Sequence, residues 1–541
     1  MRNNIWVFIA IFLIAGVLRF WDLGNIPMSM SDDEVRLTYN AYSIWNIAKD
    51  INGHKLPLAF LVSGYAFNPV PIYITSPFVG LFGLSMFMSR LPFAIAGVAT
   101  VILLYAIVCT LLRNHAIALF SSLVLSFSAW HLQISRFAYE GSFALFFFTL
   151  GVFLFLLIKK RKIGIAIITM LIFFIGFHSY SGTKLILVPI VLALVWYKLK
   201  ELGYKQLVIV IFFVLLSFTS FFFLAKTQDA SKYGSGQFFF QDLKVASEAV
   251  ELERRSSQAP EILKRLYHNK LTYWSKIFID HYSYAFSPQY LFTSQEGSGI
   301  FSLWFRGQMY ALEAPLIFLG LFYLFQKKRR VFILLILFLA IAPLPSGLGL
   351  EPVTYTIRSS FMLPWLMVLV GSGIYAISYF IKNRNIMIIT YIIVGAFYLY
   401  LIGGYLNQYY NEWKIYGAKY YSKADQDLAL FINRQKNNKD KIVVDGISSA
   451  SFLHYAFYNK ISPAVLIKEY KNNPIRFENI VFNKTCIDLK VNNPRDKIPK
   501  NSYYILSAEC PGARVGSDYT IKPDRIVRSL EGLGEWLVFE K

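Results

Sequence analysis

Three consecutive acids, Asp32, Asp33 and Glu34, follow the first apolar segment by about a dozen residues, in the loop WDLGNIPMSMSDDEVRLTYNAY. Carboxylates beside a large apolar bundle contribute little to its stability. At a membrane boundary they can serve as a general base or an ion ligand toward a lipid-borne substrate. The competing role is structural. An aspartate here, Asp32 above all, caps the helix that follows, where the helix dipole favours an acid.

Composition fixes what must position these acids. Hydrophobic residues make up 56% of the chain and aromatics 17%, more apolar surface than a water-soluble fold can hide. The net charge of +22 does not imply nucleic acid as a partner, because the Lys and Arg residues fall in short clusters between apolar stretches. Met1-Arg2 is a weak basic start with no small-residue cleavage site after it, so the first segment reads as retained. The expected fold is a polytopic α-helical membrane protein with apolar helices near 5–21, 91–112, 115–130, 142–158, 163–178, 185–198, 207–225, 309–326, 331–345, 359–381 and 386–407. That is about eleven, several shorter than the ~20 residues that cross a bilayer without thinning or re-entry.

Charge then orients the bundle. Alternate connections are basic: Arg113, Lys159–Lys162, Lys198 to Lys205, Lys327–Arg330, and Lys382 with Arg384. The positive-inside rule places these connections and the N-terminus in the cytoplasm of a multi-pass plasma-membrane protein. An odd number of spans leaves the C-terminal part outside. The expected organisation is a transmembrane catalytic domain over 1–407, with outer loops 22–90 and 226–308, and an extracytoplasmic α/β domain over 408–541. In the first loop, Val35, Tyr39, Tyr42 and Trp45 are spaced to lay a helix on the membrane. The tail alternates a helix-like run, Ala424–Asn433, with strand-like runs, Ile442–Val444 and Tyr503–Leu506, and its role is either acceptor binding or capping of the bundle.

Cys109 reads as a packing residue, whereas Cys486 and Cys510 both lie in the expected outer domain, where a disulfide is permitted. Histidines 54, 131, 178 and 281 fall on the expected outer side. A metal reading would join one or two of them to Asp33 or Glu34, but no spacing of HExxH type supports it, so neither a metal nor another cofactor is expected.

Three stretches carry a resemblance: RFWDLGNIPMSMSDDE, the run Lys49–Pro57, and PIYITSPFVGLFGLSMFMSRLPFAIAG, continued by SAWHLQISRFAYE and Arg358–Pro364. They resemble the polyprenyl-phosphate-sugar-dependent glycosyltransferases, which include the protein O-mannosyltransferases and the aminoarabinose transferase of lipid A. The resemblance covers most of the first 160 residues and the region near 340–370, and leaves the tail unmatched. It implies a GT-C fold and an inverting transfer of a sugar from a polyprenyl phosphate to an acceptor hydroxyl on protein, lipid or glycan. It also implies that Asp33 and Glu34 are the family's Asp-Glu pair. A lipid phosphate needs cationic partners. Arg136 matches a Ser-Arg of the mannosyltransferases, with Glu140 as the acid after it, and Arg358 is a second candidate. Arg90 and Lys184 lie near outer helix ends, where snorkelling to headgroups is the alternative. His281 opens the aromatic run HYSYAFSPQYLF and joins the substrate-binding set, although an interfacial aromatic belt also explains that run.

A transporter or lipid flippase is the rival class, and it calls for internal repeats and charges within spans. An oligosaccharyltransferase is a nearer rival. The Trp-Trp-Asp-type peptide-binding motif expected of one is absent from the tail.

Overall fold

The computed structural model describes residues 2–62, 65–227, 238–294, 296, 299–350, 355–515, 518–528, 530 and 534–541. Residues 228–237, within the 226–308 loop, and 351–354, ahead of Arg358, lie outside the described residues.

The chain divides into two compact units. One comprises Met1–Trp21, Phe93–Ser135 and Glu140–Tyr405, and the other comprises Asp22–Pro92, Arg136–Tyr139 and Leu406–Lys541. The first unit is a bundle of apolar helices, and a helix occurs at each of the eleven segments read from the sequence. Among the described residues, however, five helices are long and apolar enough to cross a membrane, or six if one bent pair counts as a single span. The 115–130 segment is that pair, His115–Phe127 and Ala129–Ser135, bent by 60°. Ser128 makes the break, since its backbone leaves helical geometry at φ −58° and ψ 121°. Its Oγ accepts the His131 amide at 3.3 Å, which restarts the chain in a new direction.

In the second unit the helix Asp32–Ile47 packs against Pro69–Leu81 and Ser449–Tyr458. Close approach is possible because Gly80 has no side chain: a Cβ there would sit 2.0 Å from Trp45 Cγ. The expectation that this helix lies on the membrane through Val35, Tyr39, Tyr42 and Trp45 is corrected here. Val35 and Tyr39 are fully buried, and the Tyr39 hydroxyl donates to the Ile461 carbonyl at 2.7 Å. Tyr39 faces the folded tail, whereas Trp45 packs beside Gly80 and stays substantially exposed.

Two short strands, β1 (Phe60–Val62) and β2 (Tyr65–Phe67), form a hairpin in the loop. The tail strands are β3 (Lys441–Asp445), β4 (Ile475–Phe477), β5 (Ile480–Asn483), β6 (Ser502–Ser507), β7 (Arg514–Val515), β8 (Asp518–Tyr519), β9 (Arg525–Arg528) and β10 (Gly534–Glu540). Six of them make one sheet in the order β4-β5-β3-β6-β10-β9, with β3 parallel to both of its neighbours. Burial on both faces explains the apolar run of β3, Ile442–Val444. Helices Lys423–Gln435 and Ser449–Tyr458 flank β3 in the chain, giving the α/β pattern read from the tail. Cys486 and Cys510 are disulfide-bonded, with their Cα atoms 5.6 Å apart. The bond crosses directly over Gly446, where a Cβ would meet Cys510 Sγ at 2.4 Å. Cys510 belongs to the core formed by Val443, Tyr504, Leu506, Leu537 and Phe539.

Candidate functional site

The acidic triplet sits at the start of helix Asp32–Ile47, and its three carboxylates have three different environments. Ser31, not an aspartate, caps the helix: its Oγ accepts the Glu34 amide at 3.3 Å, and the Glu34 carboxylate accepts the Ser31 amide at 3.0 Å. This reciprocal capping box overturns the expectation that Asp32 is the cap. The motif is Ser31-Asp32-Asp33-Glu34, a spacing that the sequence displays openly.

Glu34 is fully buried and fully engaged. Its Oε1 accepts from Arg90 Nε at 2.9 Å and from the Ala138 amide at 2.9 Å, and its Oε2 accepts from Arg90 Nη2 at 3.1 Å. The planar guanidinium and carboxylate meet along two parallel bonds, the strong geometry for this pair. Arg90 is equally buried, so snorkelling does not describe it. Its Nη1 donates to the Pro27 carbonyl at 2.7 Å, and Nη2 also reaches the Ser29 carbonyl. One ion pair thereby fixes the loop ahead of the acids, the helix start and the 136–139 segment together.

Arg136 is also buried. Its Nε donates to the Tyr409 hydroxyl at 3.1 Å and Nη2 to the Ile26 carbonyl at 3.1 Å. The rings of Tyr409 and Tyr410 flank it, with centroids 5.4 and 5.5 Å from the guanidinium carbon. The phenol and the carbonyl hold the plane of the group in place.

Asp33 differs from its neighbour Glu34. It lies deep among protein atoms, yet 41% of its side chain remains exposed, as does that of Asp32. Its contact is Arg36 Nη1 at 3.3 Å. Burial pushes its carboxyl above the usual range, Asp32 and Glu34 add to the rise, and Arg36 opposes it. Asp32 faces the tail. It accepts from Ser422 Oγ at 2.7 Å and lies 3.4 Å from His454 Nε2. Burial raises its carboxyl, but the hydrogen bond and charge of His454, then Ser422 and Arg36, outweigh burial and bring it below the usual range. Asp425 joins them, pushed up by burial to about 6. Oxygens of Asp32 and Asp425 and a ring nitrogen of His454 lie within 4.8 Å of one another.

The structure therefore brings Asp33, Glu34, Arg90 and Arg136 into one unit. It also adds Arg36, Ser422, Asp425 and His454, which the sequence did not single out. Glu140, Lys184, His281 and Arg358 belong to the helical unit. There Lys184 Nζ donates to the Phe177 and Tyr180 carbonyls, both at 2.8 Å, and interacts electrostatically with Glu140. Arg358 is hydrogen-bonded with Tyr180, and His281 Nδ1 is 3.0 Å from the Gly349 carbonyl. Buried charge within the bundle, which was not evident from the sequence, is thus present. The four histidines that a metal reading would have used have other neighbours: Asp50 for His54, Arg19 for His131, Ser220 for His178 and Gly349 for His281.

Comparison with known proteins agrees with this architecture. Residues 66–222 match the model of the dolichyl-phosphate-mannose-protein mannosyltransferase family. Among solved structures, ArnT from Cupriavidus metallidurans in the apo state matches with a TM-score of 0.53 at 12% identity, over 99% of this chain and 98% of that one. The same enzyme bound to undecaprenyl phosphate matches at 0.52 and 11% identity, over 98% and 97%. The oligosaccharyltransferase of Archaeoglobus fulgidus, in complex with Zn and sulfate, matches at 0.50 and 13% identity, over 93% of this chain and 68% of that one. No curated protein sequence matches the chain. The chain has the GT-C glycosyltransferase fold, and its resemblance is to the protein-mannosyltransferase and ArnT type. A transporter or flippase gains no support from these matches.

Proposed function

We propose that this protein is an integral-membrane, inverting glycosyltransferase that moves a sugar from a polyprenyl phosphate to an acceptor hydroxyl, with Asp33 as the base. The observation that carries the proposal is the contrast within the triplet: Glu34 is saturated by donors, while Asp33 beside it keeps an open carboxylate on a rigid helix start. A partly exposed carboxylate on a rigid helix start, held by one ion pair to Arg36, suits proton abstraction. The fold supports the donor class, since ArnT carries undecaprenyl phosphate in its own structure.

In the step proposed, Asp33 takes the acceptor proton as the hydroxyl oxygen attacks the anomeric carbon. The bond from that carbon to the phosphate oxygen breaks on the opposite side, and the configuration inverts. The lipid phosphate leaves already ionised and needs no acid. Glu34 and Arg90 position Asp33 without moving a proton. Arg136 supplies positive charge for the phosphate.

Arg136→Ala in the purified protein is expected to weaken binding of a polyprenyl-phosphate sugar ~10–150-fold, the equivalent of ~1.5–3 kcal/mol for a charge-assisted contact. Titration calorimetry reads this directly, and an unchanged affinity would move the phosphate site, with Arg358 the next residue to replace. The reaction is placed on the extracytoplasmic side, with the N-terminus in the cytoplasm and 408–541 outside. A cysteine at Lys471, which is exposed in the tail, is expected to react with an impermeant thiol reagent in intact cells, and one at Lys160 is expected to stay unlabelled. The reverse pattern would overturn the sidedness.

A further inference from the structure

The mechanism leaves one polar cluster unused. Asp32 opens the loop helix, Asp425 lies on Lys423–Gln435, and His454 lies on Ser449–Tyr458, so three separate helices of the same unit converge. We propose that Asp32, Asp425 and His454 bind a divalent transition metal of the zinc class, which joins the base-bearing helix to the tail.

The first support is geometric. His454 Nε2 and Asp32 Oδ1 are 3.4 Å apart, whereas an imidazolium donating to a carboxylate settles at about 2.7–2.9 Å. A tetrahedral zinc with Zn–N and Zn–O bonds of about 2.0–2.2 Å separates its ligand atoms by roughly 3.3 Å. The observed distance is long for a hydrogen bond between these groups and also matches an edge of that tetrahedron. All three ligand atoms lie within 4.8 Å of one another, so small side-chain movements close the set.

The second support is the state of His454. Its side chain is wholly buried, and its Nδ1 has no hydrogen-bond partner among the described residues. His454 stacks on the Tyr458 ring, but with one long hydrogen bond to Asp32 and an unpartnered Nδ1 its buried imidazole is poorly satisfied. With the proton on Nε2, the Nδ1 lone pair is left unpaired in the core. With the proton on Nδ1, the Nε2 lone pair faces carboxylate oxygen across 3.4 Å, which is repulsive unless a cation lies between them. A metal ion at Nε2 would turn this repulsion into two bonds and offset carboxylate charge, while the Nδ1 proton would still lack an acceptor.

Ligand chemistry selects the metal. One imidazole with two carboxylates suits zinc and its neighbours in the first transition row, while the nitrogen disfavours calcium and magnesium, which prefer all-oxygen shells. Ser422 Oγ donates to Asp32 Oδ1 at 2.7 Å and orients that carboxylate, as groups behind metal ligands commonly do. Asp33 follows Asp32 directly in the chain, so the ion would hold the start of the base-bearing helix against the tail.

The test uses the full chain, purified in detergent, stripped with a chelator and desalted, with neither donor nor acceptor present. Zn²⁺ alone is then titrated by calorimetry and its content measured by elemental analysis. The expected result is close to one equivalent bound, with affinity reduced at least tenfold in both His454→Gln and Asp425→Asn and unchanged in His268→Gln, a histidine paired elsewhere with Glu253. Should either variant fail to fold, X-ray absorption of the zinc-loaded wild type decides: a shell of nitrogen and oxygen with one imidazole supports the site, and sulfur in the shell overturns it. No uptake by the wild type, or equal uptake by both variants, would also overturn it. Binding is read without turnover, so failure here leaves the glycosyl-transfer proposal standing.

Discussion

Asp33→Asn is expected to lower sugar transfer by ~10²–10⁴-fold while leaving donor affinity largely intact, the range that general-base catalysis supplies. Asparagine keeps the shape and the contact to Arg36 but cannot take a proton. Folding should be little changed, because the side chain is 41% exposed and makes a single ion pair with Arg36. The comparison with Glu34→Gln is informative. A glutamine side chain there would retain part of the capping box and part of the Arg90 contact, so transfer should fall less and stability should fall more. If Asp33→Asn transfers at the wild-type rate and Glu34→Gln is inactive, the two roles are exchanged. If both remain active in a donor-dependent assay, the base lies elsewhere.

Arg90→Ala is expected to give the largest loss of stability among single substitutions at this site, about 3–5 kcal/mol, because it leaves the Glu34 carboxylate buried without its cation. The cost is not the worth of the pair alone. Arg90 also holds the Pro27 and Ser29 carbonyls, and those acceptors would lose a buried donor as well. Thermal melting of the purified variant, or its yield in monodisperse form, reads the effect. Arg90→Lys should recover little, since an ammonium cannot make both bonds to Glu34. A variant as stable as wild type would mean that the Glu34–Arg90 pair does not fix the helix start.

The sequence displayed some of this architecture openly. The eleven apolar segments are local, and hydropathy alone marks them. The tail strands around Ile442–Val444 and Tyr503–Leu506 were visible for the same reason. Features that depend on contacts across long separations were not legible in the sequence. Val35 and Tyr39 make an apolar stripe that membrane or protein could cover equally well, and nothing near them signals that residues beyond 440 do so. Ser128 breaks an apolar segment that hydropathy reads as continuous. His454 stands alone in SASFLHYAFY, 422 residues from Asp32, so no spacing motif could pair them. The Ser31–Glu34 capping box was local and legible, and recognising it would have removed Asp32 from the capping role.

The most direct measurement incubates the purified protein with a panel of polyprenyl-phosphate sugars and follows release of the free polyprenyl phosphate by mass spectrometry, in wild type and Asp33→Asn side by side. The expected result is that at least one donor is consumed by the wild type, with the transferred sugar inverted at its anomeric carbon, and that Asp33→Asn consumes it at least a hundredfold more slowly. Retention of configuration, or equal consumption by both proteins, would contradict single displacement with Asp33 as the base.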